Sequence, residues 1–303
     1  MARNTAEALF NVKGMVAVIT GGGSGLGLYA ARALDQNGAK AVYIVGRREN
    51  TLKEAAATGV NGNIIAIVGN VSDKESLSAV ADQVRKEQGY VNLLFANAGV
   101  SGTRARDFIP KLAAGEKPTV AEFREGMMKP EMADFSNDYH VNCTAVFYTA
   151  VAFLDLLDAG NKKQNLPQDS QILVTSSVAG FSRYLASSFA YSTSKAAVNH
   201  LVKMMATNFA QNGFRIRANV IAPGLYPSEM TAGAMKTLEK TDHDGDFSDA
   251  HKMPSDRSPA ERTGSEQDFA GTVLFMASRA GAYLNGETLV TDGGRMSQLP
   301  ATY

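Results

Sequence analysis

Tyr191 and Lys195 are the residue pair best suited to chemistry in this chain. Four residues apart on a helix, they share one face, one turn above the other. An ammonium beside a phenol favours the phenolate and lowers a pKa that is about 10 when unperturbed. A tyrosine tuned in this way trades a proton with an alcohol or a carbonyl near neutral pH. Ser177 follows the apolar run Ile172-Leu173-Val174 at a strand end, where its hydroxyl faces the start of the helix and can bond the same oxygen. A Y-x-x-x-K pattern also arises by chance on amphipathic helices. The elements that would position the three groups decide the matter.

The 303 residues contain 30 Lys+Arg and 30 Asp+Glu, so no basic surplus is available for nucleic acid or an anionic membrane. Cys143 is the only cysteine, which excludes an internal disulfide and a cysteine-based metal cage. The start of the chain has neither a secretory apolar core nor an Arg/Ser-rich transit pattern. No apolar run approaches the roughly 18 residues that span a bilayer. The expectation is a cytoplasmic protein without a membrane anchor.

Residues 16–20 form a β-branched run typical of a strand buried on both faces. They lead into Gly21-Gly22-Gly23-Ser24-Gly25-Leu26-Gly27 and then a helical pattern that ends before Gly38. Strand, glycine turn and helix make a phosphate site, because the backbone can approach a pyrophosphate and the helix start offers free N–H groups and a positive dipole end. A second strand, residues 41–45, ends at Gly46-Arg47-Arg48, where such a fold meets the adenosine ribose. An acid there would bind the 2′-hydroxyl of NAD, whereas arginine suits the 2′-phosphate of NADP. Two arginines and no acid predict NADP(H), with Arg47, directly after the glycine, the better candidate of the two.

Residues 63–71 and 91–99 read as third and fourth strands, with a helix over 73–89 capped by Ser72 between them. A helix over about 135–157 and a polar loop over 161–169 precede a fifth strand at 171–176. The Tyr191 helix extends from about 189 to 211, a sixth strand covers 215–222, and a helix over 266–278 and a strand over 287–291 complete the pattern. This alternation predicts an α/β fold: one Rossmann-type, doubly wound parallel sheet of about seven strands with helices on both faces, in a single domain over 1–303. Its ligands gather at the carboxyl ends of the strands.

Two segments interrupt the pattern. Residues 102–137 are a mixed, charged insertion (Arg104, Arg106, Lys111, Lys117, Arg124, Lys129), read as a surface or oligomer-contact feature in preference to a flap over the active site whose cations would meet an acidic carrier or phosphate tail. Residues 225–263 are Gly/Pro-punctuated and sit where a substrate lid would close. Within the lid, Asp242, His243, Asp244, Asp246, Asp249 and His251 cluster, but Phe247 and Met253 stand where a calcium loop needs glycine and glutamate. No metal site is expected there.

In combination these features resemble the classical short-chain dehydrogenase/reductase family. The matching residues are Thr20-Gly21-x-x-x-Gly25-x-Gly27, Asn97-Ala98-Gly99, Asn142, Ser177, Tyr191-x-x-x-Lys195 and Pro223-Gly224, in register over roughly residues 12–294. The resemblance implies a catalytic tetrad of Asn142, Ser177, Tyr191 and Lys195. It also implies cofactor contacts from the glycine turn (Gly21, Ser24, Gly25, Leu26, Gly27), Arg47 and Arg48, Asn70 and Val71, Asn97, Ala98 and Gly99. Tyr191, Lys195, Pro223, Gly224, Leu225 and Ser228 complete that set. Asn70 stands where the family usually has an aspartate, and its amide oxygen can accept the same adenine bond. Ser228 replaces the usual threonine, with Thr231 as fallback. The Ser177–Tyr191 spacing is one residue longer than usual, and Ser177 is preferred to Ser176 because Val-x-Gly follows it.

The implied chemistry is an NADP(H)-dependent interconversion of a ketone and a secondary alcohol, in which Lys195 lowers the Tyr191 pKa and Asn142 holds a water. Tyr184, Leu185, Phe189, Leu225, Tyr226, Met230 and Met235 are candidates for an apolar substrate wall. A hydrophobic or polyketide-like ketone and a 3-oxoacyl thioester both remain open as substrates. A protein that senses NADP without turnover is the rival from another class. The resemblance further implies a homodimer or homotetramer built on the helices around Asn142 and Tyr191.

Overall fold

The computed structural model describes residues 4–185, 187–241, 247 and 249–302. Seven strands, β1 (Val16–Thr20), β2 (Ala41–Gly46), β3 (Ile64–Val68), β4 (Leu93–Ala96), β5 (Gln171–Thr175), β6 (Arg217–Pro223) and β7 (Thr288–Thr291), form one sheet. The order is β3-β2-β1-β4-β5-β6-β7 and every pairing is parallel. The chain order reverses between β1 and β4, where Thr20 lies beside Ala96, and a crevice opens at the strand ends there.

Side-chain alternation splits the interior into two cores. Val16, Val18, Tyr43, Leu94, Ile172 and Val220 face one layer of helices: α3 (Lys74–Glu87), α5 (Ala145–Ala152), α6 (Leu154–Lys163) and α7 (Phe189–Gln211). Their neighbours Ala17, Ile19, Val42, Ile44, Phe95 and Ile221 face α1 (Gly25–Gln36), α2 (Glu49–Ala56) and α8 (Glu266–Ala277) on the other side. Both faces are covered, which is why the strands read as unbroken apolar runs. Each fully buried Leu, Ile or Phe contributes roughly 1.5–3 kcal/mol, so the sheet is a rigid platform for its ends.

Three local expectations change. Asp73, not Ser72, caps α3: its carboxylate accepts a 2.7 Å bond from the Ser76 N–H, while the Ser72 N–H turns back to the Asn70 side chain at 3.2 Å. The helix expected over 135–157 begins earlier, as α4 (Met132–Tyr139), and passes through a π turn, His140–Thr144, before α5. It then breaks at Phe153, whose ring is buried in the core, and resumes as α6 with a 48° bend, so that residues expected to be loop are helical. Among the described residues no single helix is long and apolar enough to cross a membrane. The bent pair that passes by length and composition, Met132–Ala152 with Leu154–Lys163, includes helices packed against the sheet.

Candidate active site at the carboxyl ends of the strands

The ends of β1, β4 and β5 are tied by polar side chains. Thr20 Oγ1 accepts from the N–H groups of Asn97 and Ala98 at 3.0 and 3.1 Å. The Asn97 amide donates to the Thr20 and Gly21 carbonyls and accepts from the Thr175 hydroxyl at 2.9 Å. Gly21 has φ +65°, and a methyl added there would lie 2.9 Å from the Ala98 Cα; one added at Gly27 would lie 2.4 Å from the Gly21 carbonyl oxygen. These glycines let α1 start tightly against the strand end, with its first N–H groups aimed at the crevice. Ser24 precedes that helix without spending its side chain on a cap. Such a cradle fits a pyrophosphate.

The crevice opens into a cleft of about 580 Å³. Gly21, Ser24, Gly25 and Leu26 line one end with Arg47, Arg48, Asn70 and Val71; Asn97, Ala98 and Gly99 line the middle. Ser177, Tyr191 and Lys195 stand at the far end, and Pro223, Gly224 and Ser228 also line the cleft, Ser228 close against Gly25. Three expected site residues stay off the lining. Gly27 packs behind the turn, and the Leu225 carbonyl accepts from the Gly264 N–H at 2.9 Å. Asn142 lies buried behind the wall on the π turn. Its amide donates to the Val100 carbonyl and Ser194 Oγ and accepts from the Val100 N–H, pinning the loop after β4 to α7.

Tyr191 and Lys195 share one face of α7, and the Ser188 hydroxyl caps that helix by accepting from the Tyr191 N–H at 2.9 Å. The Lys195 ammonium donates to the Thr175 carbonyl at 2.9 Å and lies 5.7 Å from the Tyr191 ring centroid. Burial draws it down to about 8, opposed by Asp138 and Cys143. The phenol does not behave as the sequence suggested. Burial pushes Tyr191 above its ordinary value; the Ser177 hydrogen bond pulls it back, and the Asp138 carboxylate pushes it further up. The lysine charge is directed at a backbone carbonyl, so its expected lowering of the phenol gives way to desolvation. Ser176 is buried, and its hydroxyl donates to the Lys195 carbonyl, which leaves Ser177 as the serine facing the phenol.

At the nucleotide end the two arginines differ. Arg48 makes a two-point ion pair with Glu229, at 2.7 and 3.2 Å, across the mouth of the cleft. Arg47 lines the cleft and has no side-chain ion pair among the described residues. Asn70 Oδ1 accepts from the Ser72 N–H and keeps one lone pair. Ser228 and Thr231 share a hydrogen bond at 3.0 Å, and Thr231 also donates to the Tyr226 carbonyl.

Of the expected apolar wall, only Met230 and Tyr226 line the cleft. Tyr226 is core filler, packed edge-on to Phe269 with its hydroxyl bonded to Thr291. In the acidic cluster, residues 242–246 lie outside the described residues. Asp249 instead accepts from the Glu266 N–H and the Tyr29 hydroxyl, and the His251 N–H is held by Thr263. Ser188, Ser194, Glu229 and Asp138 also belong to the site. Ser188 could have been found as a serine N-cap of the Tyr191 helix. Ser194, Glu229 and Asp138 act through contacts 50 or more residues apart and carried no sequence signal.

A family model described as short chain dehydrogenase matches residues 15–239. The chain belongs to the short-chain dehydrogenase/reductase family. It is 43% identical to the short-chain dehydrogenase/reductase PhomF of Diaporthe leptostromiformis, over 98% of this chain and 97% of that one. It is 27% identical to the rhamnolipids biosynthesis 3-oxoacyl-(acyl-carrier-protein) reductase of Pseudomonas aeruginosa, over 94% and 97% of the two chains. The solved structure of the Pseudomonas aeruginosa RhlG/NADP active-site complex superposes with a TM-score of 0.72 at 27% identity, covering 94% of this chain and 98% of that one. Members of the family are oxidoreductases acting on CH–OH and C=O groups with nicotinamide cofactors, and the glycine cradle, strand-end cleft and Tyr191–Lys195 face accord with that membership.

Proposed function

We propose that this protein is an NADP(H)-dependent reductase that interconverts a hydrophobic or polyketide-like ketone and its secondary alcohol. The observation that carries the reading is one continuous cleft joining the glycine turn to Ser177, Tyr191 and Lys195. A reduced nicotinamide held in the cleft would supply hydride to the carbonyl carbon. The chain's part is acid–base: Ser177 holds the carbonyl oxygen, and Tyr191 donates its proton to that oxygen as it gains charge. A phenol kept in its acid form suits the reducing direction. Lys195 holds the Tyr191 end of the cleft by its bond to Thr175 and is the cation for the ribose hydroxyls. Asn142 braces the loop that closes over the pair. Arg47 is the candidate for a 2′-phosphate, consistent with the NADP complex of the similar structure.

Met230, exposed on the cleft lining, supports an apolar substrate. A 3-oxoacyl thioester is the second reading, favoured by the relative of that name. Against it, the insertion's Lys111 pairs with Glu122 at 2.8 Å and Lys129 lies 3.9 Å from Glu125, which leaves fewer free cations for an acidic carrier. A panel of aromatic ketones, aliphatic ketones and 3-oxoacyl thioesters with NADPH, followed by nicotinamide absorbance, separates the readings. Tyr191→Phe should lose about 10²–10⁴-fold in turnover. Comparable turnover in a variant that still binds NADPH would overturn the assignment, and binding without turnover of any ketone would favour a sensor.

A further inference from the structure

Among the described residues Asp138 is the carboxyl group that acts on both Tyr191 and Lys195, and the chemistry above does not use it. It ends α4 on the inner side, is 0% exposed, and lies under the loop that follows β4. A methyl group at Gly102 would come within 2.8 Å or less of its carboxyl atoms, so that loop is shaped around the carboxylate. Gly102 itself has φ +52°, a conformation glycine adopts without strain. One carboxyl oxygen, Oδ2, accepts from the Ser188 hydroxyl at 3.4 Å; the other, Oδ1, is buried with no hydrogen-bond partner among the described residues. Ser188 in turn accepts the Tyr191 N–H, so carboxyl, hydroxyl and catalytic helix form one chain of contacts. A buried acid with an unsatisfied oxygen costs free energy, and this one is tied through Ser188 to the first turn of the helix that carries the reacting pair.

We infer that Asp138 is a positioning residue of the reaction, resting on the reductase reading: its sealed carboxyl fixes the first turn of the Tyr191 helix and keeps the proton on Tyr191 and on Lys195. Its charge acts on both partners in the same sense, raising the phenol and the ammonium alike. Burial raises the carboxyl in turn, against the Ser188 hydrogen bond and the Lys195 charge. The groups facing it from the packed elements are Tyr191 and Lys195 on α7, with Cys143 on the π turn facing Lys195; the 99–102 loop contributes no titratable side chain. The carboxylate therefore holds the site in its proton-loaded state, the state that reduces a ketone. Without that charge the same fold would sit nearer the phenolate state, which suits alcohol oxidation.

The test reads protons directly. In the full-length protein labelled with ¹³C at tyrosine Cζ and lysine Cε, Tyr191→Phe and Lys195→Met assign the two signals. Asp138→Asn preserves shape and the acceptor for Ser188 while removing the charge. Both midpoints should then fall by about one pH unit, and the alkaline limb of ketone reduction should fall with them. Asp138→Ala, which cannot clash with Gly102, serves if the amide variant folds poorly. Unchanged midpoints in a folded variant would overturn the inference even if ketones are reduced. Shifted midpoints in a protein that reduces no ketone would uphold the coupling and sink the reductase reading.

Discussion

Lys195 is an ammonium with 3% exposure, and its burial has a measurable consequence for stability. Its titration falls to about 8 in the folded chain, against about 10.4 in a free lysine. Between those values the unfolded chain holds the proton that the folded chain has released, so stability rises with pH across that window. The rise is on the order of 3 kcal/mol when complete. Lys195→Met, which has no charge to lose, should lack it: comparing melting temperatures at pH 7.5 and 10, wild type should gain on the variant. A constant difference between the two proteins would show that Lys195 titrates normally. The residues of the pair were legible because their spacing alone sets a common helical face. Asp138 was not, since an acid between Asn137 and Tyr139 reads as a solvated helix position until the 99–102 loop is seen to cover it.

At the scale of elements, the strands were legible because both faces are buried, and only their ends moved by a residue or a few. The π turn and the break at Phe153 were not, since both follow from tertiary demands: Asn142 reaching the Val100 backbone and a phenyl ring entering the core. The clasp between the turn after β2 and the segment after β6 is likewise invisible in sequence, with Arg48 and Glu229 lying 181 residues apart. It assigns the two arginines different tasks. Arg48 is committed to a carboxylate, in an exposed pair of small net value, whereas Arg47 is available to a 2′-phosphate. Arg47→Ala should therefore weaken NADPH roughly tenfold or more while leaving NADH unchanged, as expected for a lost bond to a charged group. Arg48→Ala should move the ratio of the two affinities much less. Calorimetric titration of both nucleotides decides it, and an unaltered ratio in Arg47→Ala would remove the 2′-phosphate assignment.

Over the whole molecule, apolar surface is distributed unevenly. Phe147 and Val151 lie one turn apart on α5 and are 41% and 44% exposed. On α7, Phe189, Thr193, Ala196, His200 and Met204 follow one another at three- or four-residue spacing, all exposed. Helices of this amphipathic kind normally bury their apolar stripe, and a contiguous exposed patch marks a contact surface. Those helices also carry Asn142's turn and the Tyr191–Lys195 pair, so a partner seated on them would stiffen the site from behind. The expected state is a homodimer or homotetramer, seen by light scattering at micromolar concentration. Phe147→Glu with Val151→Glu should reduce the mass toward a single chain with the far-ultraviolet dichroism unchanged, and ketone turnover should fall with assembly. A wild-type chain that is monomeric across that range would leave the stripe without a partner of its own kind. It would also show that the rigidity of the Tyr191 helix comes from the sheet and the buried Ser188–Asp138 contact alone.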